Sequence, residues 1–268
     1  SAKFTDYNLL YPAHPFRLAV SLLKRGYGLF VADFHWVGTA AIFAARKRFT
    51  GNGWKLVGLV ALAHLLLITL LGGAQLERYM LPVLPVFFIA AAASFSQLGR
   101  LPQALGTAVM TGGLLAGLWW NPPYPFPYEN NLAMTTFVEL HRTAAEFVSH
   151  DYPGAMITTA WPLSDALRRP EFGYVNRGRN VVELPDFQPQ RLAGIREVEV
   201  LILYSRDWAR VPMLESQWRR YFAYSPPVTS AECQARYGLQ PVARWESSGQ
   251  WVEVLARTPS VNRLRELL

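Results

Sequence analysis

The feature that most constrains this sequence is a set of long stretches without charged residues in its first 120 or so positions. The clearest one covers residues 79–99, which are 21 uncharged residues between Arg78 and Arg100. As an α-helix it would be about 31 Å long, close to the roughly 30 Å thickness of a bilayer's hydrocarbon core. The stretch therefore predicts a membrane-spanning helix.

Three similar stretches extend this prediction to four transmembrane helices within residues 26–120. The four predicted spans are residues 26–45, 56–76, 79–99 and 101–120. The loop between the first two spans carries four cations, Arg46, Lys47, Arg48 and Lys55, which indicates a cytoplasmic loop. The second span then runs outward, so Arg78 and Tyr79 are expected on the outer face.

Residues 1–25 are predicted to form an outer loop followed by an amphipathic surface helix. The run FRLAVSLLKR places apolar side chains on one helical face and Arg17, Lys24 and Arg25 on another. His14 and Arg17 would then lie near the lipid headgroups. The first residues lack the pattern of a signal peptide, and we expect a chain cut in mid-sequence.

The first span is interrupted by two ionisable residues, Asp33 and His35. An ionisable side chain at membrane depth is costly and usually faces a cavity or a partner, so both are candidates for an intramembrane polar site. Two alternatives remain open, in which Asp33 lies near the interface or pairs inside the helix bundle. His64, in the second span, is interpreted as a hydrogen-bonded residue of the bundle.

The composition changes after the fourth span. Residues 121–131 form a proline-rich linker, residues 132–259 read as a soluble α/β domain, and residues 260–268 form a C-terminal tail. Within the domain, residues 155–160 predict a strand, and the nearly continuous apolar run 198–205 predicts a central strand buried on both faces. Residues 239–257 predict a hairpin turning near Ser248 and Gly249. The spans place this domain outside the cytoplasm.

Several chemistries are disfavoured by what the sequence lacks. It has one cysteine, Cys233, no glycine-rich nucleotide loop and no HExxH, which argues against structural zinc, nucleotide binding and metalloprotease chemistry. We predict no cofactor and no metal. The net charge of +7, in a chain with apolar spans, favours membrane lipids and lipid-linked phosphate over nucleic acid as partners.

The stretch RYMLPVLP carries a resemblance to a known family. Arg78, Tyr79, Leu81, Pro82 and Pro85 are similar to the opening of a late transmembrane helix in polytopic glycosyltransferases of the GT-C class. The resemblance is to the family of bacterial aminoarabinose transferases and protein mannosyltransferases. It implies a multi-pass α-helical membrane protein of the bacterial cytoplasmic (inner) membrane, with a C-terminal extracytoplasmic α/β domain.

The same resemblance implies an activity and a site. A sugar would pass from a polyprenyl-phosphate carrier to an unidentified acceptor, with Tyr79 contacting the lipid phosphate and Arg78 beside it as charge partner. His14 and Arg17 fall in a segment where the family often places further phosphate-binding residues. The family's catalytic aspartate lies upstream of Ser1, so the catalytic residues are unassigned and this part alone is expected to be inactive.

Two alternatives compete with this interpretation. Arg78 and Tyr79 are also typical of interfacial anchors at a helix end. The chain is then a non-enzymatic membrane-anchored protein whose outer module binds a partner or a glycan. Five tryptophans of the module could stack on sugars, although most are expected in its core: Trp161, Trp208, Trp218, Trp245 and Trp251. Asp165, Arg168 and Arg169 are interpreted as a solvated helix face.

Overall fold

The chain forms two compact units, which meet in the sequence at positions 132 and 133. The computed structural model of the protein describes residues 15–71, 77–120, 131–195, 197–205 and 227–257. We call the described residues up to 132 the helical unit and those from 133 onward the sheet unit. His14, residues 121–130 of the predicted linker and the predicted tail lie outside the described residues.

The helical unit consists of five α-helices joined by short 3-10 segments. The α-helices are α1 (Pro15–Phe30), α2 (His35–Ala44), α3 (Asn52–Leu71), α4 (Leu84–Phe95) and α5 (Arg100–Gly117). The 3-10 segments are Ala32–Phe34, Arg46–Thr50 and Glu77–Met80. The buried side chains that hold the unit together are Leu29, Leu65, Met80, Val83, Phe87, Ala91, Phe95 and Met110.

Helix α1 does not end at residue 25, where the boundary between a surface helix and the first span is predicted. Helix α1 continues through Gly26 and Gly28 to Phe30, because each glycine costs a helix only about 1 kcal/mol and does not end it. The interruption comes later, where Asp33 and Phe34 adopt the left-handed conformation. The chain bends by 45° between the helical segments Ser21–Phe30 and Ala32–Ala44, which we call the bent pair.

The third predicted helix begins later than expected. Helix α4 starts at Leu84 rather than at Tyr79 and ends at Phe95. Pro82 and Pro85 explain the delay, since each proline lacks an amide donor and disfavours the helical conformation of the residue before it. The segment from Glu77 to Met80 is therefore a 3-10 turn.

The helical unit presents apolar surface that its own residues leave uncovered. Helix Asn52–Leu70 is long and apolar enough to cross a membrane, and 11% of its most apolar window is buried. The bent pair passes the same test if it counts as one span. Helix α4 is apolar but has only 12 residues. Four transmembrane helices therefore stay a prediction.

The sheet unit is a five-stranded mixed sheet with helices packed on it. Its strands are β1 (Ile157–Ala160), β2 (Val181–Leu184), β3 (Val200–Tyr204), β4 (Gln240–Ser247) and β5 (Gln250–Ala256). Its α-helices are α6 (Ala133–Asp151), α7 (Leu163–Arg168), α8 (Pro189–Ala193) and α9 (Ser230–Tyr237). The strand order is β2-β1-β3-β5-β4, with β1 parallel to β2 and β3. Helix α6 packs on β5 and β4, and α7 packs on β1 and β2.

The strand predictions within this unit agree with the structure. All five residues of β3 are buried, as a central strand requires. The predicted hairpin is formed by β4 and β5, and Ser248 and Gly249 both have positive φ values, the conformation that tight two-residue hairpin turns need. The predicted strand at 155–160 is shorter and begins at Ile157.

Strand β4 lies at one edge of the sheet and is mostly exposed. Its pairing with β5 shifts register between Pro241 and Ala243. Further along the strand, Arg244 forms ion pairs with Glu246 and with Glu253 of β5. This edge is thus irregular and charged.

Candidate functional site

The helix break between α1 and α2 is held by side chains of α2. Asp33 and Phe34 have φ values of 50° and 62°, and each left-handed residue costs about 1–2 kcal/mol. Helix α1 ends with carbonyl groups that have no partner within the helix. His35 Nδ1 bonds to the carbonyl oxygens of Gly28 and Leu29 at 2.9 and 3.1 Å. The hydrogen bonds that cap the end of α1 offset the free-energy cost of the two left-handed residues.

The two carbonyl oxygens also determine the tautomer of His35. A carbonyl oxygen only accepts hydrogen bonds, so Nδ1 carries the hydrogen and Nε2 of the neutral ring is an acceptor. Nε2 is buried and has no hydrogen-bond partner among the described residues. The ring lies against Phe87 and Phe88, with centroid distances of 5.1 and 5.3 Å. His35 is therefore first a helix cap, with a second ring nitrogen that no described residue binds.

Asp33 lies where the break meets helix α5. A side chain on Gly113 would clash with the Asp33 carbonyl oxygen, and one on Gly117 would clash with the Asp33 carboxylate. The absence of a side chain at both glycines lets the break pack directly on α5. Asp33 is half-buried and forms no ion pair within the described part of the chain. The break therefore presents a carboxylate beside an imidazole nitrogen that no described residue binds.

Residues 77–83 form a 3-10 turn followed by three residues outside any α-helix, which we call the tyrosine segment. Met80 and Val83 are buried in the core of the helical unit. Tyr79 directly precedes Met80, and its carbonyl oxygen accepts a hydrogen bond of 2.9 Å from His64 Nε2 on α3. The Tyr79 side chain is 38% exposed. The segment is thus fixed by its backbone and its apolar neighbours, and Tyr79 remains partly exposed.

The tyrosine segment lies beside α3 and not beyond its end. His64 stands seven positions before Leu71, the last described residue of α3, which is about 10 Å along the helix axis. The Tyr79 carbonyl lies at this level. If α3 crosses a membrane, backbone outside any α-helix lies within it, and such backbone is tolerated where protein or a wet cavity satisfies its polar groups.

The structure places the Asp33–His35 break at the end of α1 and Arg17 in the first turn of the same helix, about 18 Å away along its axis. The carbonyl of Leu29 accepts the bond from His35, and the Leu29 side chain belongs to the buried cluster that contains Met80. Helix α1 thus contacts both the break and the Glu77–Met80 turn. For Arg17 and Arg78 only the backbone lies within the described residues, and His14 lies outside them.

Sequence reasoning did not foresee that Arg25 is buried. It was placed on the polar face of a surface helix that ends at residue 25, but it lies inside α1, is 7% exposed and donates a hydrogen bond to Ser21. The signal was the spacing of Ser21, Arg25 and Leu29, which puts all three on one helical face. That face belongs to the helix that contacts α3 and the Glu77–Met80 turn.

The described part of the chain contains no group of three or more His, Cys, Asp or Glu side chains that could hold a metal ion. Comparisons with protein-family models, with curated proteins and with solved structures found no match. The case for a function therefore depends on the geometry of the helical unit and on the residues at its site.

Proposed function

We propose that this chain is the C-terminal part of an integral-membrane glycosyltransferase. It would move a sugar from a polyprenyl-phosphate carrier to an acceptor on the outer face of the bacterial cytoplasmic membrane. The observation that carries the proposal is the tyrosine segment: a partly exposed Tyr79 in a 3-10 turn, whose carbonyl oxygen is bound by His64 of an apolar helix. A tyrosine that only anchors a helix at the membrane interface does not need a hydrogen bond that fixes its backbone.

The surface of α3 supports a membrane location. An apolar helix in a soluble protein is covered by its neighbours, whereas side chains along α3 such as Leu56, Leu59, Leu67 and Leu70 are more than half exposed. Lipid is the environment that makes this exposure favourable. The loop cations Arg46, Lys47 and Arg48 are exposed, as expected for residues at a membrane surface.

The chemistry of the site fits an anionic headgroup. When a sugar leaves a polyprenyl-phosphate carrier, negative charge develops on the phosphate oxygens, and hydroxyl and cationic donors lower the barrier by binding that charge. Tyr79 supplies a hydroxyl. Arg78, the residue before it, is the proposed charge partner. The catalytic base is not assigned to any residue of this chain.

Tyr79→Phe tests the proposal by binding, which does not require a complete catalytic apparatus. In lipid nanodiscs, the affinity of the chain for undecaprenyl phosphate should fall about tenfold, since a hydrogen bond to a charged group is lost. Trp36→Phe, which changes another exposed aromatic residue of the same unit, is the control and should bind as the unaltered chain does. Equal affinities for all three proteins would refute the phosphate-binding role.

A second candidate function is favoured by the position of Trp161. It is 47% exposed, whereas Trp245 packs against Phe147 and Trp251 lies under the Arg244 guanidinium. Trp208 and Trp218 lie outside the described residues. Trp161 directly follows β1, which has β2 on one side and β3 on the other. Ligands of open α/β sheets bind at this kind of position, next to the carboxyl end of a strand where the connections diverge.

If the sheet unit binds a glycan, Trp161→Ala should weaken that binding about tenfold, because the exposed indole provides the stacking surface. The hydrogen bond from the Tyr204 hydroxyl to the Trp161 carbonyl, 2.7 Å long, is preserved because it involves the backbone. Titration of the full chain with a panel of soluble bacterial oligosaccharides gives the affinities. Phe172→Ala removes another exposed aromatic residue as a control, and an equal loss there would exclude a specific site at Trp161.

A further inference from the structure

The carbonyl group of Tyr79 lies in a stretch of chain that has too few amide donors for its own carbonyl groups. Pro82 and Pro85 provide no amide donors, and the regular α4 helix starts only at Leu84. A backbone carbonyl in apolar surroundings needs a donor, since leaving it unpaired is costly. The donor is the imidazole of His64, 15 residues earlier in the sequence, at 2.9 Å.

The same contact defines what His64 can do. Because a carbonyl oxygen only accepts, Nε2 of His64 carries a hydrogen. That nitrogen is then unable to ligate a metal ion or to take a proton from a substrate while the bond exists. The bond makes His64 a structural donor to one particular residue, which its place within an otherwise apolar helix did not reveal.

Two attachments restrict the position of Tyr79. The Met80 side chain is buried among Leu29, Leu65 and other core residues, and the amide of Val83 donates to the Met80 carbonyl at 2.8 Å. His64 binds the carbonyl of Tyr79 itself. The phenol ring is attached to a backbone that is held at its own carbonyl and at the next residue, so its position depends on both attachments.

We propose that His64 is a positioning residue for Tyr79, acting through the Tyr79 carbonyl without touching the lipid headgroup. This inference rests on the proposed function, in which Tyr79 binds the phosphate of a polyprenyl carrier. Removing the imidazole breaks this hydrogen bond, lets the tyrosine segment move and lowers the fraction of molecules whose phenol is correctly placed. The effect on binding is therefore indirect and should disappear once the Tyr79 hydroxyl is absent.

The test compares His64→Leu with His64→Gln in nanodiscs, because a glutamine amide can donate to the same carbonyl and a leucine side chain cannot. Hydrogen–deuterium exchange of residues 77–83 reports on the position of the segment, and titration with undecaprenyl phosphate reports on binding. We expect faster exchange and about tenfold weaker binding for His64→Leu, with both restored to within about threefold by His64→Gln.

The matched control is Thr69→Val. Thr69 lies on the same helix, is buried and donates a hydrogen bond of 2.7 Å to the Leu65 carbonyl, so its replacement removes a bond of α3 without touching the tyrosine segment. Exchange and binding should remain as in the unaltered chain. In the Tyr79→Phe background, His64→Leu should weaken binding by less than about twofold, since the two changes act on one contact.

The outcomes separate this inference from the proposed function. Unchanged exchange in His64→Leu, or equal losses in His64→Leu and His64→Gln, would overturn the positioning role. Failure of the unaltered chain to bind undecaprenyl phosphate would instead overturn the proposed function, and the exchange data would still decide whether His64 holds the tyrosine segment.

Discussion

Replacing Gly113 with alanine is expected to lower the free energy of unfolding of the helical unit by about 3 kcal/mol. The added methyl group would clash with the carbonyl oxygen of Asp33 and with Cβ of Phe34. One of these atoms belongs to the backbone, and the backbone is already left-handed at both residues. Relief therefore requires α5 to separate from the helix break.

The neighbouring Gly112 provides a matched control. A Cβ added there would meet nothing within 4 Å, and alanine has a higher helix propensity than glycine by about 1 kcal/mol. Thermal unfolding in detergent should show Gly113→Ala well below the unaltered protein and Gly112→Ala equal to it or slightly above. Equal melting temperatures for the two variants would show that α5 does not pack on the break.

Acidification is expected to destabilise the sheet unit through His141. Its side chain is 2% exposed and lies between the rings of Phe137 and Tyr204, at centroid distances of 3.9 and 4.3 Å. Burial lowers the pKa of His141 from its ordinary value of 6.5 to about 3. Between these two pH values the imidazole of His141 is protonated in the unfolded chain and neutral in the folded protein. The contribution of His141 to the free energy of unfolding is therefore fully present above about pH 6.5 and falls as the pH decreases toward about 3.

His141→Leu removes this penalty. At pH 4.5 the unaltered protein should lose about 2 to 3 kcal/mol of stability relative to pH 7.5 through this residue alone, and the variant should lose less by that amount. Denaturant unfolding followed by far-UV circular dichroism at the two pH values measures the difference. His150→Leu, at the exposed end of the same helix, is the control. Identical acid sensitivity in His141→Leu and the unaltered protein would contradict the assignment.

The elements of the sheet unit were predictable because their signals are local. An apolar run such as the one that forms β3 has few stable environments other than the centre of a sheet, and Ser248 with Gly249 suits a tight turn. Helix α6 follows its apolar period, with Phe137, Leu140 and Ala144 buried. The pairing of β3 with β5, which are distant in sequence, required the structure.

The helical unit was harder to predict because the lack of charge locates an apolar stretch but says little about where its helix breaks. The break at Asp33 and Phe34 depends on glycines of α5, about 80 residues later in the sequence. The late start of α4 follows from Pro82 and Pro85, which a count of uncharged residues does not take into account. The ends of these helices depend on such tertiary contacts, and the positions of uncharged residues in the sequence do not reveal them.

The candidate site was predicted in part. Asp33, His35 and Tyr79 were identified from their chemistry, and helix α1 contacts both the break and the Glu77–Met80 turn in which they lie. His64 was predicted to be a hydrogen-bonded residue of the bundle, and it forms such a bond. Its partner, the carbonyl of Tyr79 15 residues away, and the burial of Arg25 were not foreseen, because both depend on the tertiary fold.

The irregular border of the sheet has a consequence for how copies of the protein meet. An incoming strand from another molecule would find in β4 a proline without an amide donor, a shifted hydrogen-bond pattern and the paired charges of Arg244 and Glu246. Each of these features discourages intermolecular strand addition. Strand β4 is therefore a poor template for fibril growth, even when many copies are crowded together.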